Sequence, residues 1–216
     1  MTAGSARRLV VIGAAGHARE TAWTAELCGH TVVGFVVTAL DRLGPYDSKA
    51  RVLGDYAWLE GHRAAYDGLA LGIGTPFSRL RVGRELAARF PDVEWPVLLH
   101  PTAIIDRASA VLAAGSYIGA GVVATVDIHL HQYAVANFGC TLGHDAQLGA
   151  GVVVNPGANI SGGVIIEEGA QVGTGAQVLQ YLRVGARASV GAGAVVTHDV
   201  PEGSVVIGVP ARPRAP

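Results

Sequence analysis

Two different rhythms of apolar residues divide this chain. From Leu112 onward an aliphatic residue recurs at every sixth position, from Leu112, Ile118 and Ala124 through Val184, Val190 and Val196, fifteen times in succession without an insertion. A period of six fits neither the turn of an α-helix nor the two-residue alternation of a flat strand. It fits a parallel β-helix, in which short strands joined by tight turns stack each coil on the one before. Three hexapeptides close one triangular coil and advance the chain by about one strand spacing, ~4.8 Å. The segment from Leu112 therefore makes roughly five coils. Ladder residues are expected to fill the prism, with small residues four places further on, such as Ala134, Cys140 and Ala146, at its corners. Glycines directly after ladder residues, among them Gly119, Gly143 and Gly149, are expected to supply turn conformations that a Cβ disfavours.

The region before the ladder is patterned otherwise. RLVVIGAAGHARE reads as a strand, a glycine turn and the start of a helix that runs to about Cys28. HTVVGFVV predicts a second strand, LALGIG a third, and PFSRLRVGRELAARF an amphipathic, arginine-rich helix. Strands alternating with helices predict a small α/β domain of Rossmann-like type with a parallel sheet. The expected division is 1–99 for this domain and 100–216 for the β-helix with its C-terminal tail, with the boundary at His100–Pro101.

Composition narrows the function classes. Half of the 216 residues are hydrophobic but only 6% are aromatic, so the core must be built from small aliphatic side chains. A formal net charge of −1 offers no basic surplus to neutralise a phosphate backbone, which argues against a nucleic-acid partner. Cys28 and Cys140 have no metal-site spacing and suggest no disulfide framework, which fits a reduced, cytoplasmic setting. The early run LVVIGAA is short and passes at once into His17, Arg19 and Glu20, so it reads as a strand and not as an export signal. No apolar stretch approaches the ~20 residues that span a membrane.

Several residues carry candidate chemistry. Gly13 to His17 follows a strand and opens a helix, where backbone N–H groups and the helix dipole can hold an anion. The motif lacks the full G-x-G-x-x-G spacing, and tight strand-to-helix turns use glycine anyway. A second turn, Gly74-Thr75-Pro76, is expected at the same end of the sheet, with Arg79 placed for a phosphate. His144 and Asp145 stand side by side two places after ladder residue Leu142, outside the prism, with Val126 and Gly162 stacked eighteen residues to either side. By spacing alone, a surface histidine and a general base oriented by its carboxylate stand equal. His129 and His131 fall at other hexapeptide positions than His144, so no ring of metal ligands is evident.

The ladder, VIGAAGHARE, IGTPFSR and the ending VGAGAVVTHDVPEGSVVIGVPA occur together and in order. In that combination the chain resembles, over almost its whole length, the bacterial sugar O-acyltransferase family, which includes sialic-acid O-acetyltransferases and nucleotide-4-amino-sugar N-acetyltransferases. The resemblance implies a left-handed β-helix, a homotrimer, and acetyl-CoA as co-substrate in the groove between adjacent β-helices. It implies an acceptor such as a nucleotide-linked amino sugar held on the N-terminal domain, and with no ring of histidine ligands no metal is expected. It further implies that His144 takes a proton from the attacking amine or hydroxyl, that Asp145 orients His144, and that Asn137 helps position the acceptor. Gly162, Thr174, Gly191 and Ala192 match positions that line the CoA groove. Gly13, Gly16, His17, Gly74 and Thr75 match the acceptor crevice.

The chain also departs from that pattern. Val153 stands where relatives often carry a second histidine, nine residues after the base, so a backbone N–H would have to serve the oxyanion. Val37 and Thr38 stand where uridine-nucleotide binders often carry paired aspartates, and Asp41 comes only later. His198 replaces a C-terminal lysine, leaving Arg183, Arg187 or Arg212 for the CoA phosphate. The expected activity is CoA-dependent acetyl transfer to an amino or hydroxyl group. The alternatives are a non-catalytic trimeric scaffold that senses a nucleotide and a β-helix zinc enzyme of carbonic anhydrase type.

Overall fold

The structure, a computed structural model, describes residues 6–38, 40, 43–45, 47 and 49–214. Four parallel strands, β1 (Arg8–Ile12), β2 (Thr31–Val36), β3 (Val52–Gly54) and β4 (Gly68–Leu71), form a sheet in the order β3-β2-β1-β4. Helices α1 (Gly16–Leu27), α2 (Tyr56–Gly61) and α3 (Pro76–Arg89) connect or follow them. β1 and β4 are wholly apolar beyond Arg8 and buried, as strands covered on both faces must be. β3 and α2 are additions to the elements expected from sequence. β3 is only three residues long, and α2 is a six-residue helix whose start is capped by Asp55, which accepts from the Ala57 N–H at 2.9 Å.

The order of the strands fixes where a ligand can enter. The chain leaves β1 towards β2 and β3 on one side and returns as β4 on the other, so β1 and β4 are neighbours at a topological switch point. There the two connections diverge and leave a crevice beyond the carboxyl ends of the strands. The Gly13–His17 and Gly74–Thr75 turns sit at that point. Backbones meet closely behind it: a Cβ on Gly13 would stand 2.9 Å from the Gly72 carbonyl oxygen, and one on Gly72 would collide with Ala18.

The left-handed β-helix begins at Leu98, whose strand Leu98–Leu99 pairs in parallel with Tyr117–Ile118. Two-residue strands then recur on three faces. Face I carries Tyr117–Ile118, Val135–Ala136, Val153–Val154, Gln171–Val172 and Ser189–Val190, face II Val123–Ala124, Thr141–Leu142, Asn159–Ile160, Gln177–Val178 and Val195–Val196. Face III carries Val111–Leu112, His129–Leu130, Gln147–Leu148, Ile165–Ile166 and Arg183–Val184. Pairing runs eighteen residues from coil to coil, as with Val135 beside Val153. The ladder residues from Ile118 onward and the small residues four places later form one continuous buried core. Each buried Leu, Ile or Val contributes about 1.5–3 kcal/mol.

One expectation about the corners is corrected. The left-handed backbone conformation falls three places after the ladder residues from Leu112 to Val190, as at Gly139 (φ 67°) and Gly163 (φ 67°), and not on the glycine directly after them. The latter glycines answer a different need. A Cβ on Gly143 would stand 2.6 Å from the Gly162 nitrogen, so the first corner position is small because the next coil passes against it.

The α/β part lies on face I. Leu98, Tyr117, Val135 and Val153 point outward from that face and pack with α1 and the sheet, among them Ala14, Ala18 and Ala22. Helix α3 runs along the corner between faces III and I, where Leu80 meets Gly151 and the ring of Tyr133 lies against Gly83. Tyr117 and Thr24 share a hydrogen bond of 3.0 Å across the junction, and the Tyr133 hydroxyl donates to the Gly83 carbonyl at 3.2 Å. Among the described residues no helix is long and apolar enough to cross a membrane.

Candidate active site

His144 and Asp145 occupy the corner between faces II and III. The imidazole Nδ1 lies 2.7 Å from Asp145 Oδ2, and both side chains are about half exposed, 52% and 60%. Asp145 has φ 60°, the conformation that glycine takes at most other corners. Aspartate tolerates it better than most residues, though an L side chain there still costs about 1 kcal/mol. A carboxylate is therefore held at a corner where the backbone favours none. The coil above supplies the complement: a Cβ on Gly162 would collide with His144 Nε2 and Cε1. Glycine at 162 lets the ring lie flat along the corner. With Nδ1–H donated to Asp145, Nε2 is left as the basic atom.

Tyr181, two coils further along the same corner, was not singled out by sequence. It too has a left-handed backbone, φ 59°, and is 73% exposed. Its ring lies over Gly163 and stands 6.4 Å from the His144 ring. The signal was a break in the glycine pattern at the third corner position.

The remaining candidates separate. Asn137 follows Ala136 and so belongs to the corner between faces I and II, where it is 7% exposed and its Oδ1 accepts from the Phe138 N–H at 2.9 Å. Thr174, Gly191 and Ala192 follow face I strands and share that corner. Gly162 instead shares the corner of His144. One whole face of the prism thus lies between the two groups, and no described hydrogen bond joins Asn137 to His144. Val153 is on face I, opposite the His144 corner, 2% exposed and packed under the α/β part, so valine there fills an apolar junction.

In the α/β part, His17 lies against Gly74, and its ring meets Tyr117 edge-on at 5.7 Å. Its Nδ1 is 3.4 Å from Glu20 Oε2, while Nε2 is buried without a hydrogen-bond partner among the described residues. Burial holds the His17 pKa below the usual imidazole value, and the bond to His17 holds that of Glu20 below the usual carboxylate value. Val37 is buried and Thr38 exposed, while Asp41 lies outside the described residues.

The expected phosphate role of Arg79 is corrected. Its side chain is 1% exposed, and its guanidinium donates to four backbone carbonyls: Tyr133 at 2.6 Å, Leu71 at 2.7 Å, Ile73 at 3.2 Å and Gly115 at 3.4 Å. These donors are spent on joining the end of β4 to the first coils, and burial lowers the pKa of the group. The cation that stands by the crevice is Arg19, whose Nη2 would be 3.9 Å from a Cβ on Gly16.

Of the three arginines considered for the CoA phosphate, Arg183 pairs with Glu167 and Arg187 with Glu202. Arg212 donates to the Ala211 carbonyl, 3.1 Å away, and His198 bonds Thr197 at 2.9 Å. His129 on face III, His131 beyond it and His144 do not converge. Among the described residues no group of three His, Cys, Asp or Glu side chains is placed to hold a metal ion. Cys140 is inside the prism, where burial pushes its thiol up to about 11.

A left-handed β-helix with an exposed, carboxylate-oriented histidine at a corner, joined to a parallel α/β unit with glycine turns at its switch point, defines a class of hexapeptide-repeat acyltransferases. No protein-family model matches the chain, nor does any curated protein. Solved structures match it over nearly its full length. A histidine-to-asparagine variant of perosamine N-acetyltransferase from Caulobacter crescentus, in complex with CoA and GDP-perosamine, is 32% identical, with 97% of each chain covered and a TM-score of 0.88. The acetyltransferase domain of PglB from Neisseria gonorrhoeae, in complex with acetyl coenzyme A, is 33% identical over 97% of this chain and 100% of that one, with a TM-score of 0.86. WeeI from Acinetobacter baumannii is 25% identical over 96% and 99%, with a TM-score of 0.82. The chain belongs to the sugar acyltransferases of the hexapeptide-repeat type.

Proposed function

We propose that this protein transfers the acetyl group of acetyl-CoA to the amino group of a nucleotide-linked sugar. The observation that carries the reading is the His144–Asp145 pair laid over Gly162 in a chain that matches CoA and nucleotide amino-sugar complexes end to end. In the reaction the amine nitrogen attacks the thioester carbonyl, a C–N bond forms and the C–S bond breaks. His144 Nε2 takes the amine proton and returns it to the departing thiolate, so the products are the N-acetyl sugar nucleotide and free CoA. Asp145 fixes the tautomer and stabilises the imidazolium. Holding the two substrates in line supplies most of the rate, and the base adds about 10²–10⁴.

The two corners support a reading in which the site is shared between copies. Asn137, Thr174, Gly191 and Ala192 lie on one corner and His144 with Gly162 on another, so a single chain does not bring them together. A homotrimer in which the Asn137 corner of one subunit faces His144 of the partner subunit closes the groove. Residues 1–99 would then hold the acceptor beside the Asn137 corner, through Gly13, Gly16, His17, Gly74 and Thr75, while 100–216 carry the acyl donor. Face II presents Ile104, Val123, Thr141, Asn159, Gln177 and Val195 outward with no charge among them, which suits contact with a second copy.

The test is thiol release from acetyl-CoA with UDP-, dTDP- and GDP-linked 4-amino sugars, run on wild type and His144→Ala. The expected result is acceptor-dependent release that falls about 10²–10⁴-fold in the variant with acetyl-CoA binding retained. Undiminished release in the variant would mean that His144 is not the base. No release by wild type with any acceptor would remove the transferase reading.

A further inference from the structure

The corner that carries His144 has a second ring on it. Each corner of the coils has three residues, and from 113–115 to 191–193 glycine fills both the middle and the last place at one corner only, Gly162–Gly163. That pair makes a bare shelf, and two side chains lie on it from the coils on either side. A Cβ on Gly162 would collide with the tip of the His144 ring, and a Cβ on Gly163 would collide with the edge of the Tyr181 ring. Tyr181 is ill suited to its place. It has φ 59° where most coils have glycine, and it is 73% exposed. Leu179, at the first place of the same corner, is 41% exposed, and Gln180 between them carries no charge. Two large apolar side chains thus face water within a coil or two of the base, where they gain nothing unless something lies on them.

The coils also fix what stands opposite. Thr174 and Tyr181 belong to the two corners at the ends of one strand, Gln177–Val178, just as Asn137 and His144 belong to those at the ends of Thr141–Leu142. Each pair therefore stands at one height on the prism, and the two heights differ by two coils, about 9.6 Å. Rotation about an axis parallel to the prism preserves height. In the trimer proposed above, Tyr181 then faces Thr174 of the partner subunit, as His144 faces Asn137 of the partner subunit. A donor that runs along the Thr174 corner and ends at His144 Nε2 must cross the coil between them. That coil is the one whose shelf the Tyr181 ring covers, 6.4 Å from the His144 ring and tilted 60° to it.

We infer that Tyr181 is a donor-positioning residue, whose ring seats the sulfur and the two-carbon spacer of the thioester arm so that the carbonyl comes to rest beside His144. The inference rests on the transferase reading above and assigns a role to a side chain which that reading leaves idle. The end of the arm is uncharged, as is the corner from Leu179 to Tyr181. A sulfur about 5 Å from an aromatic ring makes a favourable contact, and the methylenes bury apolar surface on the ring and on Leu179. Neither contact needs the phenol hydroxyl, so the ring is the working part. Tyr181 meets the arm and takes no part in proton transfer. Its effect is on where the thioester stops.

The experiment compares wild type, Tyr181→Gly and Tyr181→Phe as assembled proteins, by calorimetric binding and by turnover. Glycine suits the left-handed backbone, so Tyr181→Gly should keep its assembly and its unfolding midpoint. The binding probes are acetyl-CoA and 3′-phosphoadenosine 5′-diphosphate, which lacks the arm. In Tyr181→Gly, Kd and KM for acetyl-CoA should rise about tenfold, the scale of losing one sulfur–aromatic contact and part of one buried ring face. Kd for the armless probe and KM for the UDP-, dTDP- or GDP-linked 4-amino sugar should stay unchanged. Tyr181→Phe should behave as wild type. Unchanged acetyl-CoA affinity in Tyr181→Gly would overturn the inference, and so would equal weakening of the armless probe. A phenylalanine variant as weak as the glycine one, or a lowered midpoint in Tyr181→Gly, would overturn it too. If wild type binds acetyl-CoA through Tyr181 but acetylates no acceptor, the seat stands and the transfer reading falls. If it does not bind acetyl-CoA, both fall.

Discussion

The coils and the α/β part treat a polar side chain in opposite ways. In the coils the place of a residue within the hexapeptide decides its exposure: ladder positions go in, the middle of a corner goes out, and His144 with Asp145 stands out by position alone. In the α/β part the helix–coil junction decides. Arg79, on an amphipathic, arginine-rich helix where it was expected to reach a phosphate, is 1% exposed because α3 lies along a corner of the prism and carries it inward. A repeat makes each neighbour the same as the last, so function can be mounted outside without disturbing the core. A junction has no period, and its polar groups must be satisfied one by one.

The strongest way to break this comparison is Arg79→Met. Four carbonyls would lose their donor, at a cost on the order of 3–5 kcal/mol. The α/β part should then open ahead of the coils, seen by hydrogen exchange as early loss of protection in β1 and β4 while the prism stays protected. Loss of protection in both at once would mean that the two parts are one cooperative unit and that Arg79 is no special link.

A smaller effect sharpens the other side. Asp145→Gly relieves a left-handed backbone at an exposed corner and should keep or gain up to about 1 kcal/mol in denaturant unfolding. Turnover should fall on the order of tenfold or more, because His144 loses its orienting carboxylate. A clear loss of stability would make Asp145 a structural corner residue.

The smallest effect is in pH. The prism interior holds no titratable group but Cys140 among the described residues, whereas the α/β part holds His17, whose pKa burial lowers. A buried histidine that resists its proton contributes stability above the ordinary imidazole value near 6.5, and this is lost as pH falls through the lowered folded value. Melting followed between pH 7 and 5 should therefore decline, and His17→Gln should decline less. The difference between the two isolates His17 from His30, which is lowered in the same direction. Parallel curves would show that His17 is no less basic in the fold than in the open chain.

Much of this was legible in the residues. The ladder from Leu112 to Val196 gave the coils, because a core built eighteen residues at a time repeats its demands in the sequence. The His144–Asp145 pair was visible as an interruption of that pattern, though not the left-handed backbone under Asp145 or the need for glycine at 162. The glycine turns at residues 13 and 74 were placed at one end of the sheet, where β1 and β4 do meet. Short elements were missed: three residues of β3 carry too little pattern to stand out. Glu20 and Trp23 lay at helical spacing from Gly16, but the cavity they line exists only because Tyr117 and Phe138 of the coils form its other wall.

By itself, the sequence determined the architecture of the coils, the outward position of His144 and the glycine turns of the sheet, because period and chirality act locally and leave a mark at every repeat. Only the tertiary structure decided that Arg79 is a buried link, that Val153 packs beneath the α/β part, and that α1 and the coils enclose a cavity. These depend on which surfaces touch across the junction, and contact between distant segments leaves no period in a chain.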